Sequence, residues 1–165
     1  MEETKEIICV CGPSYCGKTH FINTFYKDEM VFHIGDYFRS KFFNKDVVDP
    51  DDLAAAIKKF IFKDNKDKKT IILDNPFKNI NQAIAVLDIL KGCTVCVYII
   101  YDKRTNIDIT SRNRSDDKNI ESKQIYWDAY KDEMIDYLKE KKIKIIDLYN
   151  TDYGWLQSYL VNEYI

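Results

Sequence analysis

The stretch Glu6-Ile-Ile-Cys-Val-Cys11-Gly12-Pro-Ser-Tyr-Cys-Gly17-Lys18-Thr19 decides how the rest of the chain is read. Residues 7–11 are apolar without a break, which suits a strand buried on both faces in the middle of a parallel sheet. Residues 12–19 fit G-x-x-x-x-G-K-[ST]. The glycines let the backbone wrap so that successive N–H groups face one anion. A helix beginning at Lys18 adds its positive end. Lys18 can then reach phosphate oxygens, and the Thr19 hydroxyl can hold Mg²⁺. The expected phosphate loop comprises Gly12, Pro13, Ser14, Tyr15, Cys16, Gly17, Lys18 and Thr19. Tyr15 and Cys16 are large for such a loop. Cys16 lies near a helix N-terminus, where a thiol pKa is lowered, and is a candidate redox-sensitive position.

Outward from this loop, short apolar runs alternate with helix-like segments, the pattern of a parallel sheet covered on both faces. Strands are predicted at residues 6–11, 30–33, 69–73, 94–101 and 143–147. Helices are predicted at 18–26, 35–43, 51–62, 81–91, 121–141 and 152–163, with another leading to Arg112. Asp49-Pro50-Asp51 is a helix start and Gly92 a helix stop. The expected architecture is α/β: a three-layer P-loop NTPase fold with a five-stranded parallel sheet, helices on both faces and a short lid, as one domain over residues 1–165. Sites in such sheets lie beyond the carboxyl ends of the strands, so chemistry is expected after Cys11, His33, Leu73 and Tyr101.

Composition narrows the function classes. The chain has 165 residues, 45% hydrophobic and 14% aromatic, with a net charge of −2, which suits a globular chain with a core. A nucleic-acid backbone binder is normally basic, so no nucleic-acid partner is expected. Five cysteines without paired Cys-x-x-Cys modules, and only two histidines, argue against a disulfide scaffold or a zinc site. The acidic start Met1-Glu2-Glu3 is not a signal-peptide head, and the longest apolar run, 93–101, is too short for a bilayer. A cytoplasmic monomer with no membrane partner is the resulting expectation. Cys9, Cys11, Cys93 and Cys96 read as core, and Tyr126, Trp127, Tyr130 and Tyr137 as helix packing. The lysines between 58 and 69 read as solvated charge. Of 25 Lys and Arg residues only Arg39, Arg104, Arg112 and Arg114 are arginines, so the position of each is informative.

Asp74 closes the third apolar run beside the loop, where a carboxylate partners Mg²⁺ and its waters. It opens the segment Asp74-Asn-Pro-Phe-Lys78-Asn-Ile-Asn-Gln82-Ala83, which resembles the D-G-F-P-R-x-x-x-Q-A segment of adenylate kinases. His33-Ile-Gly35-Asp36-Tyr-Phe-Arg39 resembles their I-S-T-G-D-x-x-R segment, and Arg112-Asn-Arg114-Ser-Asp116-Asp117 their R…R-x-D-D lid segment. The three occur in the family's order behind the phosphate loop, and the resemblance spans nearly the whole chain. There are departures. Asn75 stands where the family has glycine, the proline is displaced, and Lys78 replaces an arginine. The lid has no room for a zinc-bearing insert. Two further family arginines, one earlier in the lid and one in the helix after the D-D pair, have no clear counterpart; Lys123 and Gln124 lie near the second.

The resemblance implies a nucleoside monophosphate kinase that passes the γ-phosphate of ATP to AMP. It implies ATP with Mg²⁺ on residues 12–19, the metal beside Thr19 and Asp74. Arg39 and Lys78 would clamp the acceptor phosphate, with Asp36 in the same segment, and Gln82 would read adenine. Physically, a guanidinium grips phosphate bidentately, an ammonium acts as a point charge, and a carboxamide offers a base edge a donor and an acceptor together. Lys18, Arg112, Arg114 and Asp116 form the implied catalytic set, with an acceptor flap at about 35–63 and a lid at about 112–119. The partners are small-molecule nucleotides. Two alternatives stay open: a kinase for CMP, UMP or a deoxynucleotide, and a nucleotide-binding homologue without turnover. A polynucleotide 5′-kinase would want a basic groove, of which the charge balance gives no sign.

Overall fold

The computed structural model describes residues 4–13, 16–41, 48–105 and 120–157. Ser14, Tyr15, Arg112, Arg114, Asp116 and Asp117 lie outside the described residues, as does most of the helix predicted to lead to Arg112. In chain order the elements are β1 (Glu6–Cys11), α1 (Lys18–Phe25), β2 (Met30–His33), α2 (Ile34–Lys41), α3 (Pro50–Lys59), β3 (Thr70–Asp74), α4 (Ile80–Ile89), β4 (Thr94–Asp102), α5 (Ile120–Glu140), β5 (Lys144–Thr151) and β6 (Gly154–Gln157). A π-helical turn, Phe60–Asp64, prolongs α3 past its predicted end.

The helix starts follow from local chemistry. The Asp49 carboxylate accepts from the backbone N–H of Asp51 and Asp52, with Pro50 in the first turn of α3. The Asn79 side chain accepts from Gln82 N at the start of α4. Beyond the end of α4, Gly92 takes the left-handed conformation at φ 89°.

The strands form one sheet in the order β2-β3-β1-β4-β5-β6. The first five are parallel, and β6 pairs antiparallel with β5. From β1 the chain turns first to one side, to β2 and β3, and then to the other, to β4 and β5. The loop after β1 therefore sits at the point where the winding reverses, which is where such sheets carry their ligands.

Alternate residues of the strands face opposite layers. Ile7, Cys9, Cys11, Ile71, Leu73, Val97 and Ile99 pack with Phe38, Leu53, Ile57, Ala83, Val86, Trp127, Met134 and Leu138 of α2–α5. On the other face Ile8, Val10, Ile72, Ile100 and Leu148 pack with Phe21 and Ile22 of α1 and with Trp155 of β6. Each such large side chain contributes about 1.5–3 kcal/mol when removed from water. Cys9 and Cys11 are core, as expected, whereas Cys93 and Cys96 are only half-buried; all five thiols are free. Among the described residues no helix is long and apolar enough to cross a membrane.

The helix predicted at 152–163 is corrected where it is described, because residues 154–157 are strand. Thr151 and Gly154 face each other across a two-residue turn. The Thr151 hydroxyl accepts from Tyr153 N at 3.1 Å and donates to Gly154 O at 2.8 Å. Gly154, at φ 124°, has a backbone that a helix does not accommodate. β5 also runs four residues past its predicted end, and its free edge supplies the ladder that β6 completes. The sheet accordingly has six strands rather than five.

Candidate functional site

Gly12 follows the last residue of β1 and lies close to Cys16: a Cβ at Gly12 would be 2.6 Å from Cys16 Sγ. Gly17 turns the chain at φ 98°, in the left-handed region, and hands over to α1. The first turn of α1 carries no acidic residue, so no carboxylate of that turn offsets its positive end. Lys18 Nζ folds back along the loop and donates to Gly12 O at 2.9 Å and Pro13 O at 2.7 Å, with Cys16 Sγ at 3.7 Å. The ammonium is thus held at the mouth of the loop by weak neutral acceptors, which phosphate oxygens outcompete by charge.

Cys16 is 1% exposed. Burial pushes its thiol up from the usual range, against the opposing pull of Lys18. This burial does not favour the redox-sensitive thiol expected here. Desolvation is the largest cause of the shift, and the side chain packs under Gly12.

The neighbouring strand brings Asp74 alongside. Asp74 pairs with Val10 of β1 on one side and with His33 of β2 on the other. His33 Nδ1 lies 2.9 Å from Asp74 Oδ2. An ionised carboxylate only accepts, so Nδ1 carries the proton. This His33–Asp74 pair was not anticipated. The sequence signal was His33 at the carboxyl end of a strand, but its partner is 41 residues away and requires the strand order. Asn75 follows at φ 58° and donates its N–H to Val10 O at 2.7 Å. Asparagine is one of the few non-glycine residues that enter the left-handed region readily, which accounts for the missing glycine after Asp74.

Arg39 is ion-paired with Asp36 one turn earlier in α2. Its guanidinium folds over Gly35, where a Cβ would come within 3.1 Å of it. Gln82 is 3% exposed, and its carboxamide is engaged at both ends. Oε1 accepts from Lys78 N at 2.8 Å, and Nε2 donates to Val48 O at 2.8 Å. The residue expected to read a base instead ties the chain entering α3 to the loop before α4. Asn79, capping α4, also donates to Tyr126 OH of α5 at 2.7 Å.

Two more groups close the edge on the β4–β5 side. Arg104 meets Asp102 bidentately, Nε to Oδ1 and Nη2 to Oδ2, both at 2.9 Å. Cys16 and Asp152 lie within its electrostatic reach. Asp152 in the β5–β6 turn accepts from Thr105 N and from the Thr105 hydroxyl. Arg104 was the one arginine outside the kinase-like segments, and its scarcity in a lysine-rich chain was the signal available for it. Among the described residues no group of three or more His, Cys, Asp or Glu is arranged to hold a metal. Thr19 and Asp74 offer hard oxygen donors of the kind Mg²⁺ takes when it arrives with a nucleotide's phosphates and its own waters.

No protein-family model and no curated protein matches the chain. Among solved structures, a chain from the PezAT chromosomal toxin–antitoxin system of Streptococcus pneumoniae is similar, with a TM-score of 0.52 and 13% identity over 96% of this chain and 74% of that one. The likeness extends to the fold, and at its centre a buried parallel strand leads through G-x-x-x-x-G-K-[ST] into a helix. The fold is a P-loop NTPase fold. A thymidylate kinase from Ehrlichia chaffeensis has a TM-score of 0.44 and 14% identity over 90% of this chain and 88% of that one.

Proposed function

We propose that the protein is a nucleoside monophosphate kinase that moves the γ-phosphate of ATP to AMP. The observation that carries this reading is the P-loop at the winding reversal, with Lys18 at its mouth and Asp74 on the adjacent strand. In this reading the triphosphate lies on residues 12–19, and Lys18 exchanges the Gly12 and Pro13 carbonyls for β- and γ-oxygens. Mg²⁺ brought with ATP would be held by Thr19 and Asp74 and would neutralise charge on those oxygens. His33 keeps the Asp74 carboxylate oriented. Arg39 and Lys78 hold the acceptor phosphate. Asp36 is exposed and Arg39 half-buried, so a phosphate competes with a solvated carboxylate for the guanidinium. A flap at about 35–63 and a lid at about 112–119, with Arg112, Arg114 and Asp116, complete the site and exclude water. No general base is needed, because the acceptor phosphate oxygen is already anionic.

A second reading keeps the reaction and changes the acceptor to CMP, UMP or a deoxynucleotide. It is favoured by Gln82, whose carboxamide must release Lys78 N and Val48 O before it can meet adenine. The test is a coupled assay of ADP production with Mg-ATP and each monophosphate in turn. Fast turnover with AMP supports the first reading, and turnover with another monophosphate supports the second. ATP binding without turnover on any acceptor defeats both and leaves a non-catalytic homologue.

A further inference from the structure

Asn150 is buried at 7% exposure near the end of β5, 134 residues from the P-loop. Its Nδ2 donates to the carbonyl of Cys16 at 3.0 Å. It stands directly opposite Trp155 in the β5–β6 ladder, so the two side chains share a face. Both press on Gly17. A Cβ there would be 2.6 Å from Asn150 Nδ2 and 3.2 Å from the Trp155 ring. Trp155 is in turn held between Phe21, at 5.2 Å, and His20, at 6.3 Å, both on α1. The hairpin is thus packed against the turn through which the phosphate loop becomes a helix.

The consequence follows from the peptide plane. No described peptide bond is cis, so the Cys16 C=O and the Gly17 N–H point in opposite directions. A donor that holds the carbonyl toward β5 therefore holds the Gly17 N–H away from it. Without that donor the peptide is free to rotate, which would turn a carbonyl where an anion needs an N–H. Gly17 offers no side chain to resist this rotation.

We propose that Asn150 is a positioning residue of the phosphate loop: by gripping the Cys16 carbonyl it aims the Gly17 N–H at the donor nucleotide's phosphates. The inference rests on the reading of residues 12–19 as a triphosphate cradle. Asn150→Asp keeps the size and replaces the N–H donor with an oxygen that repels the Cys16 carbonyl. Asn150→Ser shortens the reach without adding charge and serves if the aspartate variant does not fold. Asn150→His retains an N–H donor.

The experiment titrates inorganic tripolyphosphate with Mg²⁺ into the ¹⁵N-labelled full chain and follows the amide resonances and the affinity. Tripolyphosphate has no base and so reports on the loop alone. In the parent protein the Gly17 amide shifts on binding. Asn150→Asp or Asn150→Ser is expected to weaken binding at least tenfold and abolish that shift, with amides remote from residues 12–19 unchanged and Asn150→His recovering most of the affinity. Affinity within twofold of the parent in Asn150→Asp or Asn150→Ser overturns the proposal. If Lys18→Ala abolishes binding in the same titration, the cradle reading survives that result. If the parent protein does not bind tripolyphosphate, the cradle reading falls and the positioning role with it.

Discussion

The P-loop and the β2–β3 side of the carboxyl edge satisfy their polar groups in different ways. Around the P-loop, side chains bond to backbone carbonyls: Lys18 to Gly12 and Pro13, and Asn150 to Cys16. On the side of β2 and β3 they are engaged with one another, as His33 with Asp74 and Arg39 with Asp36, or are spent on loops, as Gln82 on Lys78 and Val48. In the proposed reading the P-loop is the donor half, where an arriving triphosphate would displace two carbonyls from Lys18. In the same reading the β2–β3 side is the acceptor half and would work by exchange of these partners. Releasing the half-buried Arg39 gives up a pair with an exposed carboxylate, whereas releasing the buried Gln82 gives up two buried hydrogen bonds. Phosphate recognition on this half should be easy and base recognition hard.

Four measurements break or sharpen this contrast. Lys18→Ala should reduce kcat in the coupled assay by about a thousandfold or more, as loss of a charge at the moving phosphoryl group does. Normal turnover in that variant would remove the donor half from the argument. Asp74→Asn should lower kcat by roughly a hundredfold. His33→Ala should lower it by only about tenfold, because it removes the orientation of Asp74 and not its charge. Equal losses in the two would mean that His33 acts directly.

Gln82→Ala should destabilise the fold by about 2–3 kcal/mol, since Lys78 N and Val48 O both lose buried partners. Arg39→Ala should change stability by less than ~0.5 kcal/mol while raising the acceptor KM. Urea unfolding of the two variants reads the difference, and a silent Gln82→Ala would return that carboxamide to base reading.

A further test is a pH dependence. Burial pushes the thiols of Cys9, Cys11 and Cys16 up and the Tyr101 hydroxyl up to about 12. Folded chains then keep protons that unfolded chains release, so these groups leave stability untouched below the ordinary thiol value of 9.0 and erode it as pH rises from there toward 12. The urea midpoint should fall between pH 8 and pH 10.5. A flat profile would mean that the thiols under the P-loop ionise in place.

What was legible in the sequence was whatever is closed over a few residues. The strand–loop–helix unit around Gly12 and Lys18, the cap at Asp49 and the stop at Gly92 all rest on hydrogen bonds or φ angles within one turn. Periodicity carried the fold class, because a buried parallel strand needs an unbroken apolar run and its helices need one apolar face. Asn75 marks the boundary of this legibility. Its place in the kinase-like segment could be read, but its left-handed conformation appears only once Asn75 N is seen bonded to Val10 of β1.

Everything else needed the chain brought together. The sequence by itself determined that a phosphate loop lies between a buried strand and a helix, and that helices cover both faces of a sheet. Only the tertiary structure decided the strand order, the sixth strand, the burial of the Cys16 thiol, the His33–Asp74 pair, the commitment of Gln82 and the hold of Asn150 on Cys16. The reason is physical. The first set depends on backbone geometry and spacing within single elements. The second depends on which remote groups share a desolvated edge, where each buried donor must find an acceptor wherever the fold supplies one.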